Sequence, residues 1–239
     1  MNTIKINKKS TQIVAHRGLS GIETENTNAA FVAAGNRSYY GIETDIHRTA
    51  DGRFVVCHDD NLKRIAGVNV PVETTSLAEL QSVVLFDKDG TKNREDLKVS
   101  VLENYISICK KYGKHCVLEL KSDFTDEEIA QIVDIVKGFD YSENVTFISF
   151  IYSNMTKIRK ICPNQSVQFL FSKFEEGIIE KLVADKIDVD VQYKALTKEM
   201  IDLLHANGLK VNCWTVDIKE QAEELCEWGV DYITSNILE

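Results

Sequence analysis

The chain contains only two prolines, Pro71 and Pro163, in 239 residues. A proline-rich linker or an extended proline-rich binding segment is therefore excluded, and no composition break divides the sequence into two domains. Long apolar runs are also missing. None approaches the roughly 20 residues needed to span a bilayer. The opening stretch MNTIKINKKSTQ has no apolar core of the kind a secretory signal carries, so we expect a soluble, cytoplasmic chain without stable membrane insertion. Basic residues are scarce relative to acids, 28 against 37, and the net charge of −9 argues against a nucleic-acid surface, which would need a basic stripe. Any anionic ligand must then be attracted by a local positive site. The six cysteines (Cys57, Cys109, Cys116, Cys162, Cys213 and Cys226) are scattered, mostly in apolar runs, without the C-x-x-C spacing of a zinc site. Their expected state is reduced thiol in the core.

What is present is apolar material for one large core, 44% of residues, in a length typical of single-domain barrels. Strand-like apolar segments and helix-like segments alternate along most of the chain. Strands are expected at 13–16, 41–47, 53–58, 116–121, 145–150, 166–172, 188–193, 209–216 and 230–234. Thr27 reads as an N-cap for a helix that stops near Gly35-Asn36, and Thr125 with Glu128 forms a capping-box signature. Further helices are expected at 102–112, 153–161, 175–184, 197–206 and 218–228. Apolar strands alternating with helices indicate a parallel sheet covered on both faces, and the simplest closure is a (β/α)₈ TIM-type barrel spanning residues 1–239. Nine candidate strands compete for eight places. The link between 41–47 and 53–58 is too short for a parallel crossover, so one unit is irregular. Residues 60–101 lose the alternation and read as a small insertion after the third strand, placed near the barrel mouth and able to cover a pocket there.

Candidate chemistry concentrates at strand ends. Glu43 and Asp45 are two apart on an extended segment and therefore point to one face. The turn Asp51-Gly52 leads into Phe54-Val55-Val56-Cys57, which delivers His58-Asp59 to a strand rim. The run Ile13-Val14-Ala15 ends in His16-Arg17-Gly18, a proton carrier, a fixed cationic fork and a small residue that permits close approach. Glu119 and Lys121 are again two apart on an apolar strand, where a carboxylate is costly unless paired or metal-bound. In a barrel the strand ends meet at one mouth, which brings His16, Glu43, Asp45, His58, Glu119, Lys121 and Trp214 together. Taken singly, each has a plainer reading: strand-edge acids, a capping histidine, a core tryptophan. His47, His115 and His205 lack such partners and read as structural, while Glu25-Asn26 suits either capping or orienting a ligand.

His16-Arg17-Gly18, Glu25-Asn26-Thr27, Ile42-Glu43-x-Asp45, Thr49-x-Asp51-Gly52, Val55-Val56-x-His58-Asp59, Leu118-Glu119-x-Lys121 and Trp214-Thr215-Val216 together resemble the signature set of the glycerophosphodiester phosphodiesterases, in order and in spacing. Three positions depart from that pattern. Thr24 stands where proline is usual, and Asp217 where asparagine commonly follows W-T-V. Ile233-Thr234-Ser235-Asn236 lacks the usual acidic residue and nearby proline.

The resemblance implies hydrolysis of a small glycerophosphodiester to glycerol 3-phosphate and an alcohol, with attack from the glycerol 2-hydroxyl through a cyclic phosphate. Glu43, Asp45 and Glu119 would hold a divalent cation. An all-oxygen donor set suits Mg²⁺ or Ca²⁺ better than zinc. Arg17 and Lys121 would hold phosphate oxygens, and Trp214 would shape the pocket for the apolar part of the ligand. His16 and His58 would exchange protons as general base and general acid. Competing readings keep the barrel: metal-assisted aldol or enolisation chemistry, lysophospholipase D-like hydrolysis of lipid phosphodiesters, or a non-catalytic phosphodiester-binding barrel.

Overall fold

The inner face of the sheet alternates with an outer face that meets the helices, and this period of two sorts the side chains before any helix is placed. In the computed structural model, which describes residues 2–239, the strand β2 (Gly41–Arg48) shows the sorting most clearly. Ile42 and Ile46 enter the main apolar cluster with helix residues such as Phe31 and Ile106. Glu43 and Asp45 fall on the opposite face.

Eight parallel strands close a ring: β1 (Gln12–Ala15), β2, β5 (His115–Leu120), β6 (Val145–Ser149), β7 (Ser166–Phe171), β8 (Asp188–Gln192), β9 (Val211–Trp214) and β10 (Tyr232–Ser235). Closure comes from β1, which pairs with β10 on one side and β2 on the other. The expected TIM barrel is thus the observed fold. Outside it, on the helix side, pack α1 (Asn28–Gly35), α4 (Leu102–Tyr112), α5 (Asp126–Gly138), α6 (Tyr152–Ile161), α7 (Ile178–Asp185), α8 (Lys198–Ala206) and α9 (Lys219–Trp228). Inside, Val14, Val117, Ile148 and Leu170 form a separate small apolar cluster. No described helix is long and apolar enough to cross a membrane.

The ninth candidate strand is the one outside the ring. β3 (Phe54–Val56) runs antiparallel to the end of β2, because the short Thr49–Arg53 connection allows a reversal but not a crossover. A two-residue strand, β4 (Ser100–Val101), pairs antiparallel with β3. It is too short to carry a periodic signal and was not expected. Between them lie α2 (Lys63–Ala66) and α3 (Leu77–Ser82), the latter with a reciprocal Ser76–Glu79 capping box. This region buries its own apolar cluster, including Val55, Leu62, Val72, Leu80 and Leu97.

Local signals held well elsewhere. Thr27 caps α1 by accepting from the Ala30 N–H, and Thr125 with Glu128 forms the expected reciprocal box. Helix α7 begins three residues later than expected, after Gly177 takes the left-handed conformation. All six cysteines are free, and five are buried.

Candidate active site

Register, more than sequence, assembles the acidic cluster. β2 and β5 pair so that Asp45 stands opposite Glu119 and Glu43 opposite Val117. The E-x-D of one strand therefore meets the E-x-K of the next at adjacent levels of the same inner face. One carboxylate oxygen from each of Glu43, Asp45 and Glu119 lies within 4.8 Å of the other two. Lys121 Nζ is 2.8 Å from Glu119 Oε1 and 3.3 Å from Asp45 Oδ1.

The turn after β1 supplies the opposite wall. Arg17 and Gly18 are both left-handed, with φ of 53° and 76°. That conformation turns the Arg17 N–H onto Glu43 Oε2 at 2.8 Å and the Gly18 N–H onto the Glu43 carbonyl at 3.2 Å. The Arg17 guanidinium donates to Glu25 at 2.9 Å and stands 3.5 Å from Asp45. Asn26 donates from Nδ2 to Asp45 Oδ2 at 2.8 Å, while its Oδ1 accepts from Thr44 at 2.7 Å. Of the two roles considered for Glu25-Asn26, the observed contacts are those of orientation: both residues hold site side chains.

The histidines face one cleft of about 110 Å³, which Glu43, Glu119 and Trp214 also line. His16 Nδ1 is bonded to Asn236 Oδ1 at 2.8 Å, and Nε2 lies 4.0 Å from Glu43. His58 Nδ1 meets Asp59 Oδ1 at 2.7 Å. Trp214 packs edge-on against Phe150, with ring centroids 5.5 Å apart. His47 bonds to Glu73, His115 to Thr146 and His205 to Asp231, and none of the three lines the cleft.

Electrostatics divide these groups. Burial, aided by the Arg17 charge, lowers the His16 imidazole to about 4, and burial lowers His58 as well. Burial also raises Glu43 well above the ordinary carboxyl range, reinforced by Asp45 and Glu119. Glu119 is pushed up to about 7 by burial and by Asp45, against the pull of Lys121. For Asp45 burial acts upward, but Lys121 and Arg17 together outweigh it and hold the carboxyl at about 2.

Such a cluster is costly as it stands. Glu43 Oε1 is buried without a hydrogen-bond partner among the described residues. Three converging carboxylates with an orphaned oxygen fit a hard divalent cation, which takes oxygen ligands at this kind of spacing.

Sequence reasoning missed two groups. Asp190, on β8, lines the cleft floor, with Oδ2 accepting from Asn212 at 3.2 Å and Oδ1 unpartnered. An acid between two buried valines was its signal, the same one that singled out Glu119. Asn236 holds His16 from the last strand end, and nothing in the sequence linked those two positions.

The glycerophosphoryl diester phosphodiesterase family model matches residues 16–238. A glycerophosphodiester phosphodiesterase of Caldanaerobacter subterraneus subsp. tengcongensis is 27% identical over 234 residues, covering 95% of this chain and 94% of that protein. A phosphodiesterase of Oleispira antarctica, solved with the product sn-glycerol-3-phosphate, superposes with a TM-score of 0.86 at 25% identity, covering 98% and 96% of the two chains. A glycerophosphodiester phosphodiesterase of Parabacteroides distasonis gives 0.80 at 26% identity, over 95% and 93%. With a barrel fold and a family match over nearly its whole length, the chain belongs to the glycerophosphoryl diester phosphodiesterase family.

Proposed function

We propose that this chain hydrolyses glycerophosphodiesters to glycerol 3-phosphate and an alcohol, using His16 and His58 for proton transfer beside a divalent cation held by Glu43, Asp45 and Glu119. The observation that carries the reading is the convergence of two imidazoles, with a cluster of three carboxylates, at one mouth of the barrel from four strands, β1, β2, β3 and β5.

The cation, Mg²⁺ or Ca²⁺, would supply charge neutralisation at a phosphoryl oxygen. The remaining steps belong to side chains of this protein. Arg17, braced by Glu25 and Asp45, offers a fixed guanidinium to a non-bridging oxygen, and Lys121 offers a second charge from across the acidic cluster. One imidazole removes the proton of the attacking hydroxyl as the oxygen–phosphorus bond forms. The other gives a proton to the alcohol oxygen as its bond to phosphorus breaks. With the 2-hydroxyl as attacking group, water then adds to the cyclic phosphate, its proton going to one imidazole while the other protonates the released 2-oxygen, to give glycerol 3-phosphate. Trp214 and Phe150 close the cleft with an aromatic wall, suited to the apolar part of the substrate. Residues 60–101, joined to the rim through Arg64, cover the approach from the His58 side and help to choose the alcohol.

Release of glycerol 3-phosphate from glycerophosphocholine, measured with added Mg²⁺ or Ca²⁺ and again with EDTA, tests the reading. We expect turnover that EDTA abolishes. Cation binding without turnover would favour a binding barrel, and faster turnover of lysophosphatidylcholine than of glycerophosphocholine would favour a lipid phosphodiesterase.

A further inference from the structure

Two of the positions at which the sequence departs from the family's motifs, Asp217 and Asn236, meet in the fold. Asn236 Nδ2 donates to Asp217 Oδ2 at 2.6 Å, and the Asn236 backbone N–H donates to Asp217 Oδ1 at 2.8 Å. Ser235 Oγ adds a third bond to the same carboxylate at 3.0 Å. On its other side, Asn236 Oδ1 receives His16 Nδ1 at 2.8 Å and Ser20 Oγ at 2.6 Å. The backbone is held as closely. Gly21 donates its N–H to the Asn236 carbonyl at 2.9 Å, and a Cβ at position 21 would lie 2.6 Å from that oxygen.

An amide has a donor end and an acceptor end, and the two are interchangeable unless a neighbour distinguishes them. Here Asp217 does so. A carboxylate only accepts, so the nitrogen of Asn236 must face it and the oxygen must face His16. That oxygen also only accepts, so the proton of a neutral His16 must sit on Nδ1. Nε2 then carries the lone pair, in the cleft, 4.0 Å from Glu43.

We infer that Asp217 and Asn236 are positioning residues: Asp217 sets the orientation of the Asn236 amide, which holds His16 in the Nδ1–H tautomer with an unprotonated Nε2 turned to the substrate. Neither touches the reacting atoms. The inference rests on the catalytic role proposed for His16, and it concerns the form in which that imidazole is presented.

The experiment pairs kinetics with nitrogen-15 NMR of the histidine ring. Asn236→Ala removes the acceptor, and kcat for glycerophosphocholine should fall roughly 10- to 100-fold with KM changed less than about threefold, the scale seen when an orienting partner is lost. Asn236→Asp alone sets two carboxylates against each other and should lose comparable activity. The exchange Asp217→Asn with Asn236→Asp restores an acceptor for Nδ1 and a donor to orient it, so it should recover to within about tenfold of wild type and exceed Asn236→Asp. In the wild-type spectrum at neutral pH the His16 proton should be on Nδ1, which is read without turnover.

A wild-type His16 protonated on Nε2 overturns the inference, as does Asn236→Ala with kcat within about twofold of wild type. If Asn236→Ala does not fold, the wild-type tautomer and the exchange variant still decide. Wild-type protein inactive on every glycerophosphodiester with cation present would instead sink the hydrolase reading, while the tautomer measurement would continue to judge the hydrogen-bond relay.

Discussion

Lys121 Nζ lies 2.8 Å from Glu119 Oε1, the two side chains being two residues apart at the end of one strand. The same ammonium is 3.3 Å from Asp45 on the neighbouring strand. A single cation thus spans two of the three carboxylates, yet Glu119 remains raised because burial and Asp45 outweigh it.

This balance sets a pH dependence of stability for the metal-free protein. The Glu119 carboxyl is raised from 4.5 to about 7, so between those values the folded chain binds a proton that the unfolded chain has released. Its contribution is fully present below pH 4.5 and is lost as pH rises through about 7. His16 and His58, whose pKa values are lowered, act in the opposite direction over part of this range, so Glu119 is isolated by comparison with Glu119→Gln. Relative to that variant, we expect the Tm of EDTA-treated wild-type protein to fall by several degrees between about pH 5 and pH 8, and millimolar Ca²⁺ or Mg²⁺ to reverse the fall. Differential scanning calorimetry of both proteins across that range checks the point, and a Tm difference that does not change with pH would contradict the account.

Loss of either imidazole should cost catalysis and spare folding. His16→Ala and His58→Ala are each expected to lower kcat by at least about 10²-fold, the usual scale for acid–base groups. Circular dichroism should show unchanged helix content. Near-full activity in either variant would remove that histidine from the mechanism.

Gly18 is held by geometry as well as by position. It sits at φ 76°, and an added Cβ would approach the Ala30 backbone carbon to 2.7 Å. Gly18→Ala is expected to destabilise the fold by on the order of 2 kcal/mol and to disturb Arg17 beside it. Urea unfolding gives the stability, and the accompanying kcat/KM tests whether the turn also places the guanidinium.

Arg64 ties the 60–101 segment to the site, reaching Glu25 at 2.7 and 2.8 Å and Asp59 at 2.7 Å. Glu25 braces Arg17, and Asp59 braces His58. Arg64→Ala should therefore raise KM several-fold while moving Tm by only a degree or two, since the side chain is half exposed and solvent screens its pairs. An unchanged KM across several alcohols would argue against a role for this segment in substrate choice.

Much of the fold could be read from pattern alone. Apolar strands alternating with helical segments specify a parallel sheet covered on both sides, and Thr125 with Glu128 announces its helix because a capping box is a local hydrogen-bond pattern. The hairpin arm β3 was legible as an irregularity, from a connection too short to cross over, but its place outside the ring was not. β4 left no signal, since two residues have no period.

The site divides along the same line. The sequence by itself determined which groups exist at strand ends: E-x-D and E-x-K put paired side chains on one face because a strand repeats every two residues. Tertiary structure decided their meeting. Register set Asp45 opposite Glu119, ring closure brought His16 beside the last strand, and only there did Asn236 and Asp217 become its partners. Those contacts join residues as many as 220 positions apart, and no local pattern in the chain encodes a hydrogen bond across that separation.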